Sequence, residues 1–254
     1  MSQLLQTTFV FRELTTYEDL KAAFHLRWKE RIGDNNPFLD AQNDCELDID
    51  AFDLTAHHFG IFEQTNLGNV LIGCLRFITE QTTPIATIVK QLAFDNSTIL
   101  PYTINKPTDY VFHIVKIFQK SPVLASIYAQ WKNENRRICE VGRLTLSAIY
   151  RDVRLARFLI ESAITVCINE YDAAFIAVDV EHQAAYRRFG FKVITELNGY
   201  LIGQLNHSAM TIKKEDIPQA IRDKYQRRAT ILRDEEALVE TFELERNLGV
   251  NPSV

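Results

Sequence analysis

The sequence of 254 residues predicts an α/β (α+β) protein, in which helices flank a mixed β-sheet and a helical extension follows at the C-terminus. Three observations support this fold class. Residues 57–79 contain two strand-like runs joined by a short polar turn, which is typical of a hairpin. Residues 138–180 follow the order strand, helix, strand, which favours a parallel βαβ unit. Residues 213–254 are charged and have a helical pattern.

The first half of the chain combines one helix, one hairpin and a longer helical region. Apolar residues from Leu20 to Trp28 recur at helical spacing, so residues 17–31 are predicted to form the first helix. Residues 57–63 and 70–79 are predicted strands. The pattern of residues 84–133 is mostly helical, and we expect breaks at Pro101, Pro107 and Pro122.

The second half supplies the rest of the sheet. Residues 138–147 are a predicted strand, 155–167 an amphipathic helix and 173–180 a buried strand. A short helix and three short strands complete the pattern, at residues 182–188, 191–196, 200–205 and 209–212. We therefore predict one domain over residues 1–212 and a helical extension over 213–254.

Composition excludes some classes of protein. There are 28 Lys and Arg against 33 Asp and Glu, a net charge of −5, which argues against a nucleic-acid-binding protein. The chain has no apolar run of about 18 residues and no signal-like start, so we expect a cytoplasmic protein without a membrane span. The four cysteines are far apart, which predicts reduced thiols and no metal site.

The charges are segregated along the chain. Seven acidic residues, with no Lys or Arg among them, lie in one stretch: Asp34, Asp40, Asp44, Glu46, Asp48, Asp50 and Asp53. Seven basic residues occur between positions 132 and 157: Lys132, Arg136, Arg137, Arg143, Arg151, Arg154 and Arg157. This asymmetry suggests partners of opposite sign, and two solvated surfaces are the alternative.

Two segments resemble the GCN5-related N-acyltransferase fold. Residues 144–159 are similar to its strand, loop and helix start, and residues 185–191 to its later helix and Gly-Phe strand start. The resemblance implies an acyl-CoA N-acyltransferase-like sheet. The family's loop binds the pyrophosphate of coenzyme A with backbone N–H groups and has glycine where this chain has Arg154. Three interpretations follow: Arg154 binds the phosphate, the donor is an acidic acyl carrier protein facing Arg151, Arg154 and Arg157, or the helix start is simply solvated.

Four further motifs resemble those of the acyl-homoserine-lactone synthases and the related N-acyl amino acid synthases. They are the Leu-Arg pair at Arg27, the acidic motif at 48–53, the Gly-x-x-Arg strand at 73–76 and the Glu-x-x-Arg strand at 140–143. The family usually has Glu where this chain has Asp48. The resemblance implies one network that binds an amino acid substrate, built from Arg27, Asp48, Asp50, Asp53, Arg76, Arg143 and Glu140.

The resemblance also implies catalytic roles. Glu140 is expected to accept the proton of the attacking amine, and Tyr186 to protonate the leaving thiolate, unless Tyr186 is only a packing residue. The acyl donor is expected to contact the backbone of the strand and the loop after it, at Leu144, Thr145, Leu146, Arg151, Arg154 and Ala156. Because Glu140 and Arg143 are three apart on a strand, they share a face only if a bulge intervenes.

The predicted function is therefore N-acyl transfer to the α-amine of an amino acid or similar small amine. The donor is an acyl-phosphopantetheine, on acyl carrier protein or coenzyme A, and no cofactor is permanently bound. The apolar helices between residues 84 and 128 are a candidate acyl pocket or simply core. One alternative is an acyl-homoserine-lactone synthase that uses S-adenosylmethionine, and another is a catalytically silent regulator that binds acyl chains or carrier protein.

Overall fold

The computed structural model describes residues 2–31, 45–105, 110–119, 121–202 and 205–247. Asp34, Asp40, Asp44 and Pro107, which the sequence analysis singled out, lie outside these residues. The described strands are β1 (Ser2–Glu13), β2 (Ala56–Thr65), β3 (Gly68–Ile78), β4 (Ile138–Leu146), β5 (Ala173–Asp179), β6 (Lys192–Val193), β7 (Tyr200–Ile202), β8 (Leu205–Lys213) and β9 (Ala237–Asn247).

The described helices are α1 (Tyr17–Arg31), α2 (Ala86–Asn96), α3 (Leu100–Asn105), α4 (His113–Ile117), α5 (Pro122–Asn133), α6 (Val153–Glu170), α7 (Gln183–Arg187) and α8 (Gln219–Glu235). The helical region between 84 and 133 is thus confirmed. Pro101 lies in the first turn of α3 and Pro122 begins α5, as expected of a residue that lacks an N–H group.

All described strands belong to one mixed sheet, in the order β6-β8-β5-β4-β3-β2-β1-β9, and β7 pairs with β8. The β4 and β5 strands are parallel, whereas the other paired strands are antiparallel. The predicted fold class and βαβ unit are therefore confirmed. The sequence analysis did not predict β1, whose Phe9 and Phe11 are fully buried.

β4 is splayed away from β5. The two strands pair only from Ile138 opposite Ala173 to Val141 opposite Ile176, while β4 continues beside β3 to Leu146. The β3–β4 register shifts in the same region, with Arg76 opposite Gly142 and Cys74 opposite Thr145. Arg143, inside this shift, has a φ of +55°. The predicted bulge is confirmed, and it turns Arg143 toward the sheet face that carries Glu140.

Helices cover both faces of the sheet. On one face, α6 packs on side chains that include Leu75, Phe77 and Cys139. On the other, α1, α2 and α3 cover β2 and β3, and α4 and α5 cover β4 and β5. Since neighbouring side chains on a strand point to opposite faces, Arg76 and Glu140 lie on this second face, beneath the helices.

The C-terminal extension is part of the sheet. Its helix α8 contacts α6 through the Lys224 ammonium, 2.8 Å from Glu161 Oε2, and β9 pairs with β1 along eleven residues. The helical prediction is therefore right for α8 and wrong for residues 237–247. Leu238 and Leu244 are buried while Val239 is exposed, and this alternation fits a strand with one covered face better than a helix.

The four cysteines are free thiols, and Cys74, Cys139 and Cys167 are buried. Among the described residues, the helices fall short of the length and apolar character that crossing a membrane requires.

Candidate active site

The structure brings the dispersed charged motifs together on the helix-covered face of the sheet. Arg27 comes from α1, the acidic residues from the segment around a 3-10 helix at Ala51–Thr55, and Arg76, Glu140 and Arg143 from β3 and β4. The 3-10 helix is locally encoded. Asp50 caps it by accepting the Phe52 N–H at 2.9 Å, and Asp53 accepts the Asp50 N–H at 2.8 Å. This reciprocal cap holds the carboxylates of Asp50 and Asp53 toward the arginines.

Arg27 and Asp53 form the deepest part of the network. The Arg27 guanidinium donates to both Asp53 oxygens at 3.0 Å, to the Asp48 carboxylate at 3.2 Å and to the Asp48 carbonyl at 2.6 Å. The side chains of Arg27 and Asp53 are 1% and 0% exposed. Burial raises the pKa of Asp53, but Arg27 and Arg76 outweigh it and hold that pKa well below its ordinary value. These two side chains bind each other and are closed to solvent.

Asp50 occupies the outer part of the network. It accepts two hydrogen bonds from Arg76, at 2.7 and 2.9 Å, and one from Arg143 at 3.0 Å. The Arg143 Nε lies 3.2 Å from Asp48, and Arg76 also donates to Asp53 at 2.7 Å. The Asp50 side chain is 23% exposed, against 1% for Arg76 and 5% for Arg143. Asp50 is therefore the member of this network best placed to contact a bound molecule.

Glu140 is the fourth carboxylate of the predicted network and lies near the guanidiniums of Arg76 and Arg143. Its Oε2 accepts the Ile114 N–H at 2.8 Å, and its Oε1 lies 3.9 Å from the Nδ1 of His113. The side chain is buried. Burial raises the pKa of Glu140 to about 7, against the opposing effects of the Ile114 N–H, Arg76 and Arg143. A carboxyl with such a pKa is half ionised at neutral pH, which suits a general base.

His113 is a site residue that sequence reasoning missed. It is buried beside Glu140, and its ring meets the Phe52 ring edge-on with centroids 5.2 Å apart. Burial and the nearby Arg143 lower its pKa well below the ordinary value, so the ring is neutral. His113 lies in a helical segment without a recognisable motif, so the sequence gave no reason to include it among the site residues. The pairing arises because α4 packs over β4.

The predicted donor-binding backbone lies at the splay. Thr145 and Leu146 pair with Cys74 and Gly73 of β3, and Leu144 falls within the bulge. In the register of the described residues, β5 partners stop at Val141, so this part of β4 faces the opening between the two strands.

Tyr186 packs edge-on against Phe191, with ring centroids 5.8 Å apart, and burial, with Asp179, raises its pKa to about 12. It is therefore protonated at neutral pH, as an acid must be.

The loop after β4 is exposed and its arginines are paired. Arg151 lies 3.5 Å from Glu30, Arg157 donates to Glu161 at 2.9 Å, and Arg154 donates to Asp152. The Ala156 N–H continues α6 by donating to the Asp152 carbonyl at 3.0 Å. The structure thus places Arg151, Arg154 and Arg157 at one end of α6, with acidic neighbours of their own.

The helices between residues 84 and 128 contribute mainly to the core. Phe112, Ile114, Phe118 and Leu124 pack together with Phe175 of β5. A surface depression of about 630 Å³ lies at the α2–α3 corner and is lined by Phe94, Ser97, Thr98, Pro101, Tyr102 and Asn105. The predicted acyl pocket stays a prediction.

Comparisons with known proteins agree with this architecture. A family model described as N-acyl amino acid synthase FeeM matches residues 120–210, which include Glu140, Arg143 and Tyr186. The solved structure of FeeM, an N-acyl amino acid synthase from uncultured soil microbes, is 17% identical with a TM-score of 0.50, and the alignment covers 82% of this chain and 92% of that one. BjaI, a CoA-dependent acyl-homoserine lactone synthase, is 14% identical with a TM-score of 0.50, and the alignment covers 87% of this chain and 90% of that one.

No curated protein matches the chain in sequence. The chain has the acyl-CoA N-acyltransferase fold, and the predicted resemblance to N-acyl amino acid and acyl-homoserine-lactone synthases is confirmed. The family model matches less than half of the chain, and the two solved structures show a shared fold.

Proposed function

We propose that the chain transfers a fatty acyl group from an acyl-phosphopantetheine donor to the α-amine of an amino acid or a similar small amine. The observation that carries this proposal is Glu140, a buried carboxyl with a pKa of about 7 next to the bulge of the splayed strand. A purely structural carboxylate in this network would be held ionised by the guanidiniums, as Asp50 and Asp53 are. Glu140 instead keeps the ability to gain and lose a proton near neutral pH.

The acceptor binds at the outer part of the network. The partly exposed Asp50 attracts the ammonium group, and the guanidinium of Arg143 beside it attracts the carboxylate. Arg76 and Asp48 position these two side chains by binding them directly, and Arg27 and Asp53 bind Asp48 and Arg76 in turn. In this proposal Asp50 and Arg143 contact the acceptor, and the other four residues of the network hold them in place.

The chemistry uses one proton acceptor and one proton donor. The bound ammonium has no lone pair, so Glu140 first takes one proton from it, directly or through water, and the neutral amine nitrogen then attacks the thioester carbonyl. The nitrogen loses its second proton to solvent as the intermediate collapses, and Glu140 later releases its own proton to solvent. Backbone N–H groups at Leu144–Leu146 stabilise the oxyanion, and collapse of the intermediate breaks the C–S bond. Tyr186 protonates the thiolate, and its proton is replaced from solvent. The products are an amide and a free thiol.

The test is to identify the product. The purified protein is incubated with acyl carrier protein and coenzyme A thioesters of several chain lengths, and with single amino acids or S-adenosylmethionine. Mass spectrometry and free-thiol release are then recorded. An N-acyl amino acid, formed by the wild type and by Glu161→Gln but lost in Glu140→Gln, would support the proposal. Glu161 is a matched control because it is also a buried glutamate, but lies on α6 across the sheet.

Two other outcomes would contradict the proposal. An acyl-homoserine lactone formed from S-adenosylmethionine, without products from amino acids, would assign the chain to autoinducer synthesis. Donor binding without thiol release for any amine would indicate a silent regulator. If Glu140→Gln forms the product at the wild-type rate, the proposed activity stands but Glu140 is not its general base.

A further inference from the structure

The first turn of α4 encloses the carboxyl group of Glu140. Its Oε2 accepts the Ile114 N–H at 2.8 Å, and its Oε1 lies 3.9 Å from the Nδ1 of His113. The side chains of Glu140 and His113 are 3% and 9% exposed. One oxygen of this buried carboxyl is therefore bound by the backbone, and the other faces an imidazole.

His113 also faces the outer part of the arginine network. Besides burial, the charged side chains that act on the pKa of His113 come from four elements: Arg143 of β4, Asp50 ahead of the 3-10 helix, Arg76 of β3 and Lys116 of α4. The Phe52 ring, two positions after Asp50, meets the imidazole edge-on with centroids 5.2 Å apart. The segment that carries Asp50 therefore also orients the imidazole beside Glu140.

Among the described titratable side chains near Glu140, His113 is the one suited to accept and to donate a proton at neutral pH. A guanidinium stays protonated, which sets aside Arg76 and Arg143. Although burial raises the pKa of Asp50, these arginines outweigh it and hold that pKa well below its ordinary value. Burial and Arg143 lower the pKa of His113 well below its ordinary value, so its neutral ring carries one N–H donor and one acceptor nitrogen.

We propose that His113 is a catalytic residue that relays one proton from the ammonium group of the acceptor to Glu140. Its Nε2 accepts a proton from the ammonium held at Asp50, while its Nδ1–H gives a proton to the Oε1 of the Glu140 carboxylate. The amine and Glu140 are then neutral, and His113 has exchanged one tautomer for the other. After the product leaves, Glu140 returns its proton to Nδ1 and Nε2 releases its own to water. The inference rests on the proposed function and places the imidazole on the path of that proton.

The relay requires Nδ1 and Oε1 to come closer than 3.9 Å. A hydrogen bond between nitrogen and oxygen is about 3 Å long, so the two groups must approach by about 1 Å. Gly142, two positions after Glu140 on β4, leaves room for this movement, because even an added Cβ would stay 3.8 Å from Oε1. Catalytic hydrogen bonds are often long before the substrate binds and shorten in the complex.

The first experiment records the tautomer of His113 and does not depend on turnover. Protein labelled with ¹⁵N in histidine is studied by NMR between about pH 6 and 8, and the His113 signals are assigned by their contacts with the Phe52 ring. Below a pH of about 7 the protonated Glu140 donates to Nδ1, so the ring proton is on Nε2. Above it, the Nδ1–H donates to the carboxylate.

The wild type should therefore switch tautomer near pH 7, whereas Glu140→Gln should keep one tautomer throughout. A wild-type ring with the same tautomer at both ends of the range would overturn the inference.

The second experiment separates proton relay from packing. Asparagine at position 113 can donate a hydrogen bond from near the Nδ1 position, but its amide does not relay protons. His113→Asn should therefore lower kcat by at least about tenfold and change the KM of the amine by less than about threefold. The matched control is His57→Asn. The Nδ1 of His57 lies 2.7 Å from the Oε1 of Glu13, but His57 pairs opposite Phe77, whose side chain packs in the core beneath α6.

The control should keep kcat within about threefold of the wild type. A wild-type kcat in a folded His113→Asn would overturn the inference and leave His113 as a packing residue. If His113→Asn does not fold, the tautomer measurement decides alone. A wild type that forms no amide with any amine would contradict the proposed function, and the tautomer measurement would still decide whether His113 exchanges a proton with Glu140.

Discussion

Replacing Glu140 with glutamine is expected to stabilise the protein at alkaline pH while it abolishes catalysis. Burial raises the pKa of this carboxyl from its ordinary value of 4.5 to about 7 in the folded state. The fold therefore favours the protonated form. The stability that the protonated carboxyl contributes is fully present below pH 4.5 and is lost as the pH rises through about 7. Glutamine imitates the protonated form at every pH.

The size of the effect follows from the two pKa values. A shift from 4.5 to about 7 is about 2.5 units, and each unit corresponds to about 1.4 kcal/mol. The ionised Glu140 thus destabilises the folded state by about 3 kcal/mol above pH 8, and by less than about 1 kcal/mol near pH 5. The glutamine oxygen can still accept the Ile114 N–H. The difference in the free energy of unfolding between the wild type and Glu140→Gln therefore reports the effect of the charge.

Urea unfolding of both proteins at several pH values between about 5 and 8 provides the assay. The free energy of unfolding of Glu140→Gln, relative to the wild type, should rise with pH by about 2 to 3 kcal/mol over this range. Glu161→Gln should show no such rise over this range. Although burial raises the pKa of Glu161, its hydrogen bonds to Lys224 and Arg157 lower it overall from 4.5. Its ionised form is therefore stabilising, and that stability is fully present above about pH 4.5 and is lost only in stronger acid. A pH-independent difference for Glu140→Gln would refute the reasoning.

Two further predictions concern the arginine network and the candidate acid. Arg76→Met leaves the three carboxylates of Asp48, Asp50 and Asp53 with two guanidiniums, those of Arg27 and Arg143, and should lower the free energy of unfolding by about 3 to 5 kcal/mol, measured by urea titration at neutral pH. A loss below about 1 kcal/mol would show that the network does not need the Arg76 guanidinium. Tyr186→Phe keeps the ring packed on Phe191, so the melting temperature should stay unchanged while thiol release slows about tenfold or more; an unchanged rate would make Tyr186 a packing residue only.

The motifs that carry charge could be read from the sequence. Arg76 in an apolar strand requires a buried partner, and the acidic segment ahead of it supplies several. The bulge in β4 was the condition under which Glu140 and Arg143 could share a face, since a regular strand would separate them, and the resemblance implied it. These inferences succeeded because local pattern and resemblance pointed to the same residues.

Other features depend on contacts between distant parts of the chain. His113 reaches Glu140 because α4 packs over β4, and Arg154 is fixed by a carbonyl on β9 that lies 89 positions away. Strand β9 was predicted as helix because residues 213–254 were taken together as one charged segment of helical pattern, and its burial pattern exists only once β1 is beside it. Tertiary packing decided these elements, and local propensity did not.

The most direct test of the account is the single-turnover rate of amide formation, with a donor and an amine identified as above, in the wild type and in Glu140→Gln. The wild-type rate should fall about tenfold per pH unit below a midpoint near 7, where Glu140 becomes protonated and cannot accept the amine proton. At about pH 8 the glutamine variant should be about 10²–10⁴-fold slower. A variant rate within about threefold of the wild type would contradict the assignment of Glu140 as the base.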